Sequence, residues 1–247
     1  MSDNEEIEEA RKLVASSNKI IALTGAGISV DSGIPDFRSE GGLWQRYDPH
    51  EYATIESFNM NPMKFWTMGR ELAETILQAK PNSAHEGLAK LESDKKLIGI
   101  ITLNIDNLHQ TAGSERIVEL HGNYLRAHCT QCSKEYVGEE VHQRVVNGEI
   151  PPKCDVCQGV LKSEAVLFGE PLPERAMEEA IALCREADLM LVIGSSLTIY
   201  PAAYLPQLAK NAGAKIILVN LEGINRDNVA DIVIKGRATD VIPKLVA

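Results

Sequence analysis

Four of the five cysteines form two pairs with the spacing of a metal site. Cys129 and Cys132 form one pair, Cys154 and Cys157 form the other, and residues 133–153 separate them. Four thiolates at this spacing suit tetrahedral zinc, and since they leave no position for water, we expect a structural metal. The N-terminal segment is acidic and lacks the features of a secretory signal, which favours a metal over disulfides.

Glycine or small polar residues follow five of the apolar, strand-like segments. They are Gly25-Ala26-Gly27, Asn104-Ile105-Asp106, His121 with Asn123, Ser195-Ser196, and Asn220 with Glu222. Ligands of an open parallel sheet bind beyond the carboxyl ends of its strands, so we expect these groups to meet at one edge. A neutral imidazole at position 121 would be suited to act as a general base near pH 7.

The first of these turns resembles a dinucleotide-binding fingerprint. Glycine there lets the backbone approach a pyrophosphate, and the following helix N-terminus favours the anion. Val30, however, stands where the fingerprint requires its third glycine. No acidic residue lies directly at the end of the next strand to hold a ribose, and Asn220 and Glu222 are better candidates for that contact. These departures argue against an ordinary dehydrogenase.

Strand and helix patterns alternate along most of the chain. Strands are predicted at 19–24, 97–102, 117–120, 189–193, 215–219 and 232–234, and helices at 4–16, 82–92, 201–212, 239–246 and from residue 173. This alternation predicts an α/β fold with a doubly wound parallel sheet. The sheet domain is expected to comprise 1–123 and 162–247, with an aromatic-rich helical insertion at about 36–85 and a zinc module at 124–161.

Composition and charge exclude several classes of protein. The 247 residues carry a net charge of −10, and five of the acids lie near the N-terminus. A duplex-binding protein would show a basic stripe, which is missing, whereas a basic partner such as a lysine-rich peptide is electrostatically easier to accommodate. No apolar run approaches the roughly 18–20 residues of a membrane span. We therefore expect a cytoplasmic protein without nucleic-acid or membrane partners.

Several motifs together resemble the sirtuins, the NAD-dependent protein lysine deacylases. Gly25-Ala26-Gly27-Ile28-Ser29 continues into Ser32-Gly33-Ile34-Pro35-Asp36-Phe37-Arg38, and further matches are Asn104-Ile105-Asp106 with Leu108-His109, His121-Gly122-Asn123, Phe168-Gly169-Glu170, Gly194-Ser195-Ser196 and Pro201-Ala202-Ala203. The resemblance covers nearly the whole chain. It implies a Rossmann-like sheet domain with a structural zinc, and NAD as a consumed co-substrate.

The resemblance also implies roles for individual residues. Asn104, Asp106 and His121 would be catalytic: Asp106 would hold the nicotinamide, and His121 would act as general base on a ribose hydroxyl. NAD would contact Gly25, Ala26, Gly27, Ile34, Asp36, Phe37, Arg38, Asn104, Ile105, Asp106, His121, Gly194, Ser195, Ser196, Asn220, Leu221, Glu222 and Ala238. Val166, Phe168, Gly169 and Glu170 would form one wall for the acyl-lysine, against which the peptide adds as a strand. The products would be lysine, nicotinamide and O-acyl-ADP-ribose.

Three departures from the family pattern affect these expectations. Leu103 replaces a usual glutamine, which removes a polar contact to the ribose. Lys162-Ser163 replaces Arg-Pro before the acyl-lysine wall. The helical insertion lacks the tyrosine and arginine of members that prefer acidic acyl groups, with Trp66 and Gly69 at the nearest positions, so we expect neutral acyl groups, acetyl first.

Other functions remain open at this stage. A mono-ADP-ribosyltransferase or an NAD hydrolase would use the same site, but its NAD turnover would not depend on acyl-lysine. A zinc protein that binds nucleic acid is disfavoured by the acidic charge. A dehydrogenase is disfavoured by Val30 and by the lack of a catalytic Tyr–Lys or Cys arrangement.

Overall fold

The structure is a computed structural model that describes residues 3–36, 42–224 and 227–247. Its strands are β1 (Ile20–Thr24), β2 (Leu97–Thr102), β3 (Ile117–Glu119), β4 (Arg126–Cys129), β5 (Glu135–Val137), β6 (Leu161–Ser163), β7 (Leu189–Ile193), β8 (Lys215–Asn220) and β9 (Ile232–Lys235). Its α-helices are α1 (Asp3–Ser16), α2 (Pro49–Tyr52), α3 (Ile55–Met60), α4 (Pro62–Gln78), α5 (Ser83–Ser93), α6 (Leu108–Thr111), α7 (Gly138–Val146), α8 (Glu174–Glu186), α9 (Leu205–Asn211) and α10 (Ala238–Leu245).

Six strands form one parallel sheet in the order β3-β2-β1-β7-β8-β9. This is the strand order of a doubly wound dinucleotide-binding domain, in which the order reverses beside the first strand. Thr24 at the end of β1 is the register partner of Ile193 at the end of β7. A crevice for a ligand is therefore expected where the loops after these two strands separate.

Helices cover both faces of the large sheet. Residues alternate along β7, so that Leu191 and Ile193 pack with α1, α5 and α10, whereas Met190 and Val192 pack with α8 and α9. The uninterrupted apolar strands found in the sequence reflect this burial on both sides. Among the described residues, no helix has the length and hydropathy needed to cross a bilayer.

A second, antiparallel sheet of order β5-β4-β6 carries the cysteine pairs. With α7 it packs against the insertion helices α2, α3 and α4, and these parts share one hydrophobic core, hereafter the small lobe. The Trp66 Nε1–H donates to the Leu161 carbonyl at 2.9 Å, and the Tyr124 hydroxyl donates to the Gly69 carbonyl at 2.7 Å. The predicted α/β class, with its small module and helical insertion, is confirmed.

Candidate active site

A cleft of about 1030 Å³ lies between the carboxyl edge of the large sheet and the small lobe. Most of the residues expected at the site line it: Gly25, Ala26, Gly27, Asp36, Asn104, Ile105, His121, Val166, Phe168, Gly169, Glu170, Gly194, Ser195, Ser196, Asn220, Leu221, Glu222 and Ala238. Ile34 and Asp106 are buried behind this lining. Phe37 and Arg38 lie outside the described residues.

Asp106 is fixed by hydrogen bonds at the back of the cleft. The Ser29 hydroxyl donates to Asp106 Oδ2 at 2.7 Å, and the Leu108 N–H donates to Oδ1 at 3.0 Å. Burial raises the pKa of the Asp106 carboxyl above its ordinary value, and these two donors oppose that rise. The side chain is thus a rigid, buried polar group directly behind the lining of the cleft.

Ser29 connects Asp106 with Asn104. The Asn104 side-chain amide donates to the Ser29 hydroxyl and to the Gly25 carbonyl, both at 3.2 Å. Ser29 is 1% exposed, so its hydroxyl serves these two neighbours rather than solvent. Ser29 belongs to the glycine motif, but no local pattern indicates its role, because its partners lie far along the chain.

His121 is oriented by the main chain of Leu103. Its Nδ1 lies 2.9 Å from the Leu103 carbonyl oxygen. Since a carbonyl only accepts, Nδ1 must carry the hydrogen, and Nε2 then keeps its lone pair. The side-chain change at position 103 leaves this contact intact, because the contact uses the backbone.

Burial lowers the pKa of His121 below the ordinary imidazole value of 6.5, although the Leu103 contact opposes the shift. A histidine with a lowered pKa stays neutral, and able to accept a proton, down to a lower pH than a free imidazole. We expect the ring protons of His121 to titrate below pH 6.5 in an NMR titration, with deacylation lost only as the pH falls through that lowered value. Titration at or above pH 6.5 would contradict the burial described here.

The glycine turn after β1 packs directly on the turn after β7. A Cβ on Gly25 would lie 2.8 Å from the Gly194 carbonyl oxygen, and one on Gly27 would lie 2.7 Å from the Gly194 Cα. Gly194 itself has φ +63°, which favours glycine. The close approach of the two turns therefore explains glycine at positions 25 and 27. The Asn220 side-chain amide donates to the Ser195 carbonyl at 2.9 Å and joins the ends of β7 and β8.

The predicted acyl-lysine wall lies in residues 165–170, a segment that ends in a turn: Gly169 has φ +87°, and the Glu170 N–H donates to the Leu167 carbonyl at 3.0 Å. Its Phe168 N–H donates to the Ala53 carbonyl at 2.9 Å, and the Ile55 N–H donates to the Phe168 carbonyl at 3.0 Å. Beside this segment, α4 contributes four apolar lining residues at helical spacing: Phe65, Met68, Gly69 and Leu72. The predicted helical insertion includes these residues without assigning them a role, although their i, i+3, i+4, i+7 spacing is the signal for a shared helix face.

The four paired cysteines meet in the small lobe. Their sulfur atoms all lie within 4.8 Å of one another, with Cys129–Cys157 at 3.4 Å and Cys132–Cys154 at 3.6 Å. A tetrahedron of zinc–sulfur bonds of about 2.3 Å has edges of about 3.8 Å, so the cluster fits the ion. Backbone N–H groups of Gln131 and Val156 point at two of the sulfurs at 3.4 Å, which favours thiolates. The predicted ligand set is therefore brought together.

Comparisons with known proteins agree with this geometry. A model of the Sir2 family matches residues 25–201. An Archaeoglobus fulgidus protein named NAD-dependent protein deacylase 2 is 46% identical over 243 residues, covering 98% of this chain and 95% of the relative.

Two solved structures have the same fold. One, from a study of the mechanism and regulation of Sir2 enzymes, has a TM-score of 0.91 at 45% identity and covers 98% of this chain and 97% of its own. The other, a Sir2 variant with a deacetylated p53 peptide and 3′-O-acetyl-ADP-ribose, has a TM-score of 0.91 at 39% identity and covers 97% of this chain and 96% of its own. The chain therefore belongs to the Sir2 family.

Proposed function

We propose that this chain is an NAD-dependent protein lysine deacylase and that the reaction takes place in the cleft between the sheet and the small lobe. The observation that carries the proposal is the grouping of Asn104, Asp106 and His121 beside the glycine turn after β1. This reaction needs a buried polar group that binds the departing nicotinamide. It also needs a neutral base that accepts a proton from a ribose hydroxyl. Family membership supports the same reaction class.

Three side chains have separate roles in the proposed reaction. Bound NAD supplies the ribose carbon that accepts the acyl oxygen as nicotinamide departs. Asp106, held by Ser29, would bind the nicotinamide carboxamide, and Asn104 would contact the ribose. Nε2 of His121 takes the proton from the ribose hydroxyl, since Nδ1 is occupied by the Leu103 carbonyl. The aromatic and aliphatic residues of α4 exclude water, which would otherwise hydrolyse NAD.

The acyl pocket favours a neutral group. Arg70, the basic residue nearest to the relevant turn of α4, has a half-exposed side chain that lies 3.6 Å from Glu74. Among the described residues that line the cleft, Arg237 is the only Lys or Arg, and it pairs with Asp31. A carboxylate on the acyl group would be buried without a cation, which is costly. Acetyl-lysine is therefore the preferred substrate over succinyl-lysine.

A basic peptide suits the mouth of the cleft. The exposed Glu56 lies beside the acyl-lysine wall, and a Cβ on Gly169 would be 3.3 Å from both of its carboxylate oxygens. The chain as a whole carries a net charge of −10. The Glu56 carboxylate favours lysine or arginine residues beside the acyl-lysine.

Domain organisation and location are part of the same proposal. We assign 1–123 and 162–247 to the NAD-binding domain and 124–161 to the zinc module, although β6 of the module sheet continues to Ser163. The cytoplasm is the proposed location, supported by four thiols arranged for a metal rather than for disulfides.

The test is nicotinamide release from NAD by the purified protein. We expect release only with an acetyl-lysine peptide, in equal amount with the deacetylated product, and far less with the matched succinyl-lysine peptide. Release that does not depend on any acyl peptide would support the transferase or hydrolase instead. No release with acetyl-, succinyl- or longer acyl-lysine peptides would contradict the deacylase proposal.

A further inference from the structure

Lys162 is a buried lysine beside the acyl-lysine wall. The residue is 6% exposed. Its ammonium group donates to the carbonyls of Ser163 and Ala165, both at 3.2 Å, and lies 3.0 Å from Glu170 Oε2. Lysine is almost never fully buried unless it is paired, and here three acceptors match its three hydrogens. All three hydrogens of the ammonium group therefore have acceptors within residues 163–170.

Glu170 extends the contact to the far end of the segment. Its Oε2 also accepts the Leu167 N–H at 2.7 Å. One ammonium therefore holds the start of the segment through Ala165 and its end through Glu170. Val166 and Phe168, which the proposed function places against the substrate, lie between these two points and line the cleft.

The backbone of Lys162 belongs to the small lobe. In β6 it is the register partner of His128 in β4, the strand that carries Cys129. The segment is also bonded to the large-sheet domain, where the Val166 N–H donates to the His121 carbonyl at 2.9 Å. Lys162 therefore adds a charged contact to the backbone bonds of Phe168 by which the small lobe holds this segment, and the same segment supports the loop of His121.

We propose that Lys162 is a positioning residue for the acyl-peptide site: by pairing with Glu170 it keeps residues 165–170 in the turned conformation that receives the peptide. This inference rests on the proposed deacylase function. The NAD contacts expected on the loops after β1, β7 and β8 do not involve the ion pair. Loss of the pair is therefore expected to weaken the use of the peptide more than the use of NAD.

The experiment compares steady-state kinetics of Lys162→Met, Lys162→Arg and Glu170→Gln with the unaltered enzyme. For K162M we expect kcat/KM for an acetyl-lysine peptide to fall about tenfold to a hundredfold, because a displaced binding segment misplaces the acyl group. The KM for NAD is expected to change by less than about twofold, and K162R is expected to restore most of the loss because guanidinium keeps the charge. E170Q tests the same pair if K162M does not fold.

Ser163→Ala is the matched control. The Ser163 hydroxyl is buried and has no hydrogen-bond partner among the described residues, so its removal leaves the ion pair untouched. S163A is expected to retain the kinetics of the unaltered enzyme.

The outcomes separate the inference from the proposed function. Equal rises in KM for peptide and NAD in K162M and E170Q, or unchanged kinetics in both, would overturn the positioning role. A K162R variant as impaired as K162M would also count against it. Absence of peptide-dependent nicotinamide release by the unaltered enzyme would instead overturn the proposed function itself.

Discussion

Replacement of His121 by alanine is expected to lower the deacylation rate by about 10²–10⁴-fold, the usual contribution of a positioned general base. The reason is geometric, because Nδ1 is held by the Leu103 carbonyl and Nε2 is left to take the proton. The measurement is release of deacetylated peptide at saturating NAD and peptide, with NAD binding followed separately by calorimetry. We expect binding of NAD to be largely retained, since many other groups line the cleft.

His50→Ala is a suitable control for that experiment. His50 lies in α2, is exposed, and is not among the residues that line the cleft. Its replacement is expected to leave turnover unchanged. Normal turnover by the His121→Ala variant would remove the assignment of this residue as the base.

Removal of the zinc is expected to lower the free energy of unfolding and the Tm of the protein. A ligand present at a thousandfold excess over its Kd stabilises a fold by about 4 kcal/mol. For a protein of this size that corresponds to a fall of about 8–16 °C in Tm, at about 2–4 °C per kcal/mol. Cys129→Ser, which removes one ligand of the cluster, is expected to lose the metal and show this fall by calorimetry.

Cys184→Ala is the matched control for the zinc prediction. Cys184 is buried on α8 away from the cluster, and burial raises the pKa of its thiol to about 12, so it is an inert core residue. This variant is expected to keep one zinc per chain by elemental analysis. An unchanged Tm in a metal-free Cys129→Ser protein would contradict a structural role for the ion.

Leu103 departs from the family motif in its side chain but not in its backbone contact with His121. Substitution of the usual glutamine suggested the loss of a ribose contact. The structure shows that the backbone of the same residue orients His121, and this contact does not depend on the side chain. The orientation of His121 is therefore compatible with leucine at this position, while the loss of a polar contact to the ribose stays a prediction.

The departure at Lys162-Ser163 has a different outcome. The sequence shows only that this dipeptide stands where Arg-Pro is usual. The structure places Lys162 in an ion pair with Glu170, whereas the neighbouring Ser163 hydroxyl finds no partner among the described residues. Chain adjacency gave no sign of this pairing, because it depends on how the segment bends back on itself.

Much about this protein follows from its sequence alone. The family, the α/β class, the enzyme class, NAD and the zinc were predicted and are confirmed, because each depends on local patterns: apolar strands, turns at their ends, and paired cysteines. The roles of individual site residues remain predictions. The tertiary structure decided which groups touch: Ser29 meets Asp106 and Asn104 across 77 and 75 residues, and the insertion and the zinc module share one core. Such contacts depend on packing between distant segments, which no local pattern encodes.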